Sequence, residues 1–261
     1  MPAVEHILPH VAPFLLVAFR LAGLFVFTPV LANRSLPGRF RVLLVVMFAA
    51  AIYPMLPGAA QVAPDAALID LAPMVVRELL IGLIMGFLAA MPIYALDLSG
   101  YLISHQMGLG LARVYNPDLE SETDTTGQLV MYLGLGAFVA LGGLEALFLS
   151  LADTFRFVPL GGGPGVSQVP LDLIVGLIGS GFELAVRVAA PVLCIIFLLM
   201  IAMGFVSKTM PQINIMSVGF TVKIVFGLAM LTASLTAMQQ ATAEEIHRVL
   251  RLAVGWASGL G

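Results

Sequence analysis

Long runs of apolar residues, separated by short polar or glycine- and proline-rich breaks, set the pattern of this chain. The first run covers residues 11–31 and holds one charge, Arg20, near its middle. The break NRSLPGRFR follows, with Pro37-Gly38 as its turn signal. A shorter run, 42–57, stops at Pro54 and Pro57, and a third, 71–96, carries Arg77 and Glu78 near its start. A fourth, 129–151, is interrupted by Gly142-Gly143 and Glu145. Runs at 171–204 and 215–238 follow, and 244–256 has the spacing of an amphipathic helix. These runs are continuous and rich in Leu, Ala, Met and Gly. Membrane strands would instead alternate over about ten residues. The predicted fold is all-α and of integral-membrane type, with room for about six long helices.

Between the third and fourth runs, GYLISHQMGLGLARVYNPDLESETD (residues 100–124) breaks the pattern differently. An apolar start is diluted by Gly108 and Gly110 and gives way to Arg113, Asn116-Pro117 and four acids. A short, deformable, partly apolar segment is thus followed by a wet loop, which makes it a candidate gate. The alternative is a helix end with a glycine cap.

Further details follow from spacing. Gly82 and Gly86 form a GxxxG face on which a second helix can approach closely, or are incidental in a glycine-rich chain. Pro92 should kink the third helix. Glu183 and Arg187, four residues apart, share a helix face and can pair. Residues 171–238 form a hairpin whose tip, 208–214, is polar. The loop ADTFRFVPLGGGPGVSQVP divides the chain into blocks of residues 1–170 and 171–261.

Composition agrees with the pattern. Hydrophobic residues make up 60% and charged residues 10% of the 261, against about 25% charged in soluble domains. The mean hydropathy is +1.05. A net charge of −3 carries no basic excess for nucleic acid. The lone Cys194 lies in an apolar run and reads as a small buried hydrophobe. The N-terminus lacks the positive segment and cleavage site of a signal peptide. Arg34, Arg39 and Arg41 place their break on the cytoplasmic side, and the Lys- and Arg-free loop after Pro57 suits the opposite side.

Seven charges fall within or against the apolar runs: Arg20, Glu78, Asp97, Glu145, Glu183, Arg187 and Lys223. Arg20 at mid-membrane costs at least about 2.5 kcal/mol, so it must face protein unless its helix leaves lipid. The charges are scattered singly and form no relay. That favours helices packed against other chains, with charges paired across interfaces or wet, over an ion pathway. His6 and His10 have helical spacing but no further ligands. GGGPG lacks the Lys-Ser/Thr of a phosphate loop, and no nucleophile triad has local support. No catalysis, metal or cofactor is expected.

Three collinear pieces resemble one family: GYLISHQMGLGLARVYNPD (residues 100–118), LADTFRFVPLG (151–161) and KTMPQINIMSVGFTVKI (208–224). The pattern Arg20, Pro29, Arg34, Pro37, Arg39, Arg41 matches as well. The family is FliR, the flagellar export-gate proteins, with their injectisome relatives called SctT. One departure is Gly142-Gly143-Leu144, where many relatives carry a Gly-His pair.

The resemblance implies a non-enzymatic subunit of the type III export gate in the bacterial inner membrane and flagellar basal body. Its partners would be FliP- and FliQ-type subunits, an FlhB-type subunit, the basal-body ring and unfolded export substrates. Residues 1–170 would be FliP-like and 171–261 a FliQ-like hairpin, in a helical assembly largely above the membrane plane. Gln106, Met107, Gly108, Leu109, Gly110, Leu111, Arg113 and Tyr115 would form the plug, with Met107, Leu109 and Leu111 offering apolar surface to clients. Lys208, Pro211, Gln212 and Asn214 would face the cytoplasm and partner subunits. An injectisome subunit of the same fold is the neighbouring reading. A stand-alone transporter is a third, but it predicts a second broken segment like QMGLG, which the chain lacks.

Overall fold

The computed structural model describes residues 2–28, 37–56, 68–109, 125–162, 171–210 and 215–258. Among these there is no strand, and seven α-helices carry the chain. They are α1 (Pro2–Phe27), α2 (Gly38–Ile52, continued by a 3-10 turn at Tyr53–Met55), α3 (Leu68–Met107), α4 (Thr125–Ala140), α5 (Gly143–Phe157), α6 (Leu171–Thr209) and α7 (Ile215–Ser258). Among the described residues, five helices are long and apolar enough to cross a membrane, or six spans if α4 and α5 count as one. The all-α membrane-type expectation is correct.

Three helices exceed what a bilayer requires. With 40, 39 and 44 residues, α3, α6 and α7 are each about 60 Å long at 1.5 Å per residue. A hydrocarbon core is about 30 Å thick.

Local sequence explains the breaks. Extended Pro37 precedes α2, and Pro54 converts its end into the 3-10 turn. The fourth apolar run becomes two helices, because Gly142 takes a left-handed conformation (φ 72°) between them. Pro92 lies inside α3, which runs on through it as one helix, and the amphipathic stretch 244–256 is the last part of α7, not a separate helix.

The chain forms two compact units. The first comprises Met1–Met91, Gly142–Val175 and Ile246–Gly261. Its core is built from Leu16, Leu21 and Leu24 of α1, Ile81, Met85 and Leu88 of α3, and Leu147 and Leu151 of α5. Phe25, Phe48 and Phe148 join α1, α2 and α5, the last two stacked at 4.6 Å. Within this unit α1 and α3 touch backbone to backbone. A Cβ at Gly82 would overlap the Arg20 carbonyl oxygen, and one at Gly86 would stand 2.6 Å from the Leu24 carbonyl oxygen. The GxxxG face is therefore a helix seam. Only 6% of the α2 span is buried, against 67% of α3, which leaves the α2 face to lipid or other subunits.

The second unit comprises Pro92–Leu141 and Gly176–Glu245. Leu96, Ile103 and Met107 of α3 pack with Val130 of α4, Leu184, Val188, Val192 and Ile196 of α6, and Leu231 and Met238 of α7. The run PVLCIIFLLM is apolar all round, so periodicity cannot show which side faces inward. Val192 and Ile196 do, and Cys194 is exposed, correcting the expectation that it is buried.

Candidate functional site

The gate segment begins on the last turn of α3. Gly108 has φ 83°, its N–H donates to the His105 carbonyl at 3.1 Å, and the Leu109 N–H reaches back to the Ser104 carbonyl at 3.2 Å. This pair of bonds is a Schellman cap, which requires a left-handed residue and so favours glycine. Gln106 and Met107 are helical, and Gln106 is exposed. Met107 is fully buried. It was expected to offer its thioether to clients, but it turns inward because Gly227 of α7 leaves a recess. A Cβ there would lie 3.0 Å from the Met107 Cγ and 3.2 Å from its Sδ. Leu109 is half-buried against the same cluster. Gln106 also lines an open, apolar groove of about 320 Å³ with Leu193, Cys194, Phe197 and Met200. Gly110, Leu111, Arg113 and Tyr115 lie outside the described residues.

Anchoring of the cap by Met107 yields a prediction. Met107→Ala empties a fully enclosed site, for which Met→Ala changes cost about 2–5 kcal/mol. The thermal midpoint of the detergent-purified protein should fall by at least about 4 °C. Gly227→Ala should cost less, since a flexible methionine can move aside. Equal stability of Met107→Ala and the native chain would refute the anchoring role.

The other built site lies in the first unit. Arg20 and Glu78 are both fully buried and pair at 2.5 Å between Nε and Oε2. Arg20 Nη1 donates to Thr154 Oγ1 at 2.9 Å and Nη2 to the Val158 carbonyl at 3.4 Å. Its guanidinium lies 4.0 Å from the centroid of the Phe155 ring. Thr154 gives its own hydroxyl proton to the Leu151 carbonyl, so a lone pair remains for the arginine. The second oxygen of Glu78, Oε1, accepts the Gly161 N–H at 2.7 Å. Gly161 meets that bond with a left-handed turn (φ 76°), and its carbonyl accepts from Arg77 Nη1 at 3.4 Å.

This knot ties Arg20 to the LADTFRFVPLG piece directly at Thr154 and Val158, and through Glu78 at Gly161. Pairing within the chain replaces the expected pairing across an interface. Thr154, Phe155 and Gly161 were not singled out by sequence, although all three stand in that piece.

The remaining predicted residues are dispersed. Asp97, Glu145 and Glu183 are exposed and Lys223 is half-buried. Glu145 sits in the first turn of α5, where the helix dipole favours an acid. Arg187 pairs with Glu244 at 3.4 Å, not with Glu183. Glu244 reaches Arg187 from α7, the other arm of the hairpin. Lys208 is exposed, while Pro211, Gln212 and Asn214 lie outside the described residues, as do Pro29 and Arg34. His10 hydrogen-bonds Tyr53 at 2.7 Å.

Comparison with known proteins agrees with the motif pieces. The model of the bacterial export proteins, family 1, matches residues 11–249. The flagellar biosynthetic protein FliR of Escherichia coli (strain K12) is 30% identical over 215 residues, covering 82% of this chain and 80% of that protein. FliR of Bacillus subtilis (strain 168) is 26% identical over 220 residues, 84% of each chain. The Yop proteins translocation protein T of Yersinia pestis is 28% identical over 206 residues, 78% of each. With its motif pieces in order and the family matched over nearly its whole length, the chain belongs to the bacterial export proteins, family 1, as a FliR-type export protein.

Proposed function

We propose that the chain is a subunit of the flagellar type III export gate. Together with FliP- and FliQ-type subunits it forms and seals the channel for unfolded flagellar proteins. The gate stands in the bacterial inner membrane within the flagellar basal body, beside an FlhB-type subunit. Residues 1–170 serve as the FliP-like block and 171–261 as the FliQ-like hairpin. The carrying observation is similarity to flagellar FliR proteins over four-fifths of the chain. Helices about twice as long as a bilayer is thick support an assembly that extends beyond the membrane.

Residues 106–111 act as the seal. In support, the segment starts from a glycine-capped helix end and carries apolar residues able to exclude water from a narrow constriction. Deleting 106–111, or placing tryptophan at Gly110, should change secretion or ion leak at normal assembly. An assembled deletion with both unchanged removes the seal assignment.

The injectisome reading has its own support in the 28% identity to the Yersinia protein. Complementation separates the two. Expression in a flagellated strain lacking its FliR-type subunit should restore swimming, whereas rescue confined to an injectisome mutant assigns the chain to that branch.

A further inference from the structure

We propose that Arg20 and Glu78 form an insertion couple: α1 becomes a stable membrane span only when Glu78 of α3 meets its charge. The pair thus serves assembly as well as folded stability.

The inference starts from α1 itself. Its apolar window, Pro9–Phe27, is 19 residues long and holds Arg20 near the centre. A helix of that composition with an unpaired arginine at mid-depth resists insertion. Arg20 is fully buried, so it does not reach out to the headgroups. The charge is met from inside the chain, by Glu78 on a helix that is itself mostly buried.

Geometry makes this meeting automatic. Glu78 lies one turn before Gly82, and Arg20 lies three residues before Gly23, so pair and seam share one face of each helix. A Cβ at Gly23 would stand 2.5 Å from the Leu79 carbonyl oxygen. Two helices meeting along these glycines necessarily bring the guanidinium to the carboxylate.

Synthesis order supplies the dependence. Arg20 precedes Glu78 by 58 residues and Thr154 by 134. When α1 first meets the membrane, no countercharge has been made. It arrives with α3, and the hydrogen bonds that Arg20 donates to Thr154 and to the Val158 carbonyl can only complete a pair already formed.

The test uses the full chain with an N-terminal epitope tag, in membrane vesicles whose cytoplasmic face is outward. A native chain with α1 inserted across from the basic break 33–41 keeps the tag protected from added protease. Glu78→Gln, which keeps shape but removes the countercharge, should lower the ratio of protected to cleaved tag at least about tenfold. Adding Arg20→Met to Glu78→Gln should restore protection, because the span then carries no charge to neutralise. Thr154→Val, which leaves the ion pair intact, should stay protected. The proposal is overturned if Glu78→Gln is as protected as native, if the double variant remains cleaved, or if Thr154→Val is cleaved as readily as Glu78→Gln. None of these readouts depends on export.

Discussion

Gly82→Leu is expected to eliminate the folded protein, and Gly82→Ala to lower its thermal midpoint by several degrees. The α1–α3 seam leaves no volume for a side chain. Even the alanine Cβ would overlap the Arg20 carbonyl oxygen and stand 2.9 Å from the Leu24 nitrogen. Both obstacles are backbone, so no rotamer change relieves them. The helices must separate, and overpacking of this kind costs about 1–3 kcal/mol or more. Separation also draws Arg20 away from Glu78, which adds to the loss. Gly176 is an internal control, since nothing lies within 4 Å of a Cβ there. Gly176→Ala should be neutral or stabilising by up to about 1 kcal/mol, through helix propensity. Thermal unfolding of detergent-purified variants, followed by size-exclusion recovery, reads the contrast. Equal midpoints for Gly82→Ala and Gly176→Ala would show that the seam is loose.

The second large effect is expected at the buried ion pair. Glu78→Ala leaves the Arg20 charge enclosed without a countercharge, a situation that costs about 3–5 kcal/mol. It also orphans the Gly161 N–H. Arg20→Lys should be milder yet still destabilising, because a lysine keeps the charge but lacks the fork that reaches Thr154 and the Val158 carbonyl. The double variant Arg20→Met, Glu78→Gln should be less destabilised than the sum of its single changes, as expected for two groups whose main cost is mutual desolvation. A double-mutant cycle on thermal or denaturant stability measures this. Strict additivity would mean that the two side chains do not depend on each other in the fold.

The sequence revealed features encoded by neighbours along the chain and missed those encoded by distant partners. Apolar runs gave the helices because a membrane-type helix needs only local composition. Gly82 and Gly86 reveal a seam through i, i+4 spacing, and Gly142-Gly143 marks the break between α4 and α5. The Arg20–Glu78 pair spans 58 residues, and no periodicity connects positions so far apart. The same reason hid Glu244 as the partner of Arg187, for which the nearby Glu183 was the visible choice. The exposure of Cys194 is not encoded locally, because a helix apolar on all sides hides which face is inward. The change of pattern at 244–256 suggested a new helix, although a backbone can continue while its surroundings change from apolar to polar. At the gate, Gly108 was legible as a point of bending, whereas the inward turn of Met107 depends on an absent side chain at Gly227, more than a hundred residues later.

The most direct test of an export-gate role is capture of a client in passage. A photo-reactive amino acid at Leu109, half-buried beside the glycine cap, would be compared with one at Met47 on the exposed face of α2. Both would be placed in a strain secreting a substrate fused to a domain that cannot unfold. The expected result is a crosslink between position 109 and the stalled substrate, with none from position 47. Secretion supported by the position-109 variant without any substrate crosslink there, or equal crosslinking at both positions, would contradict a channel-sealing role for this chain.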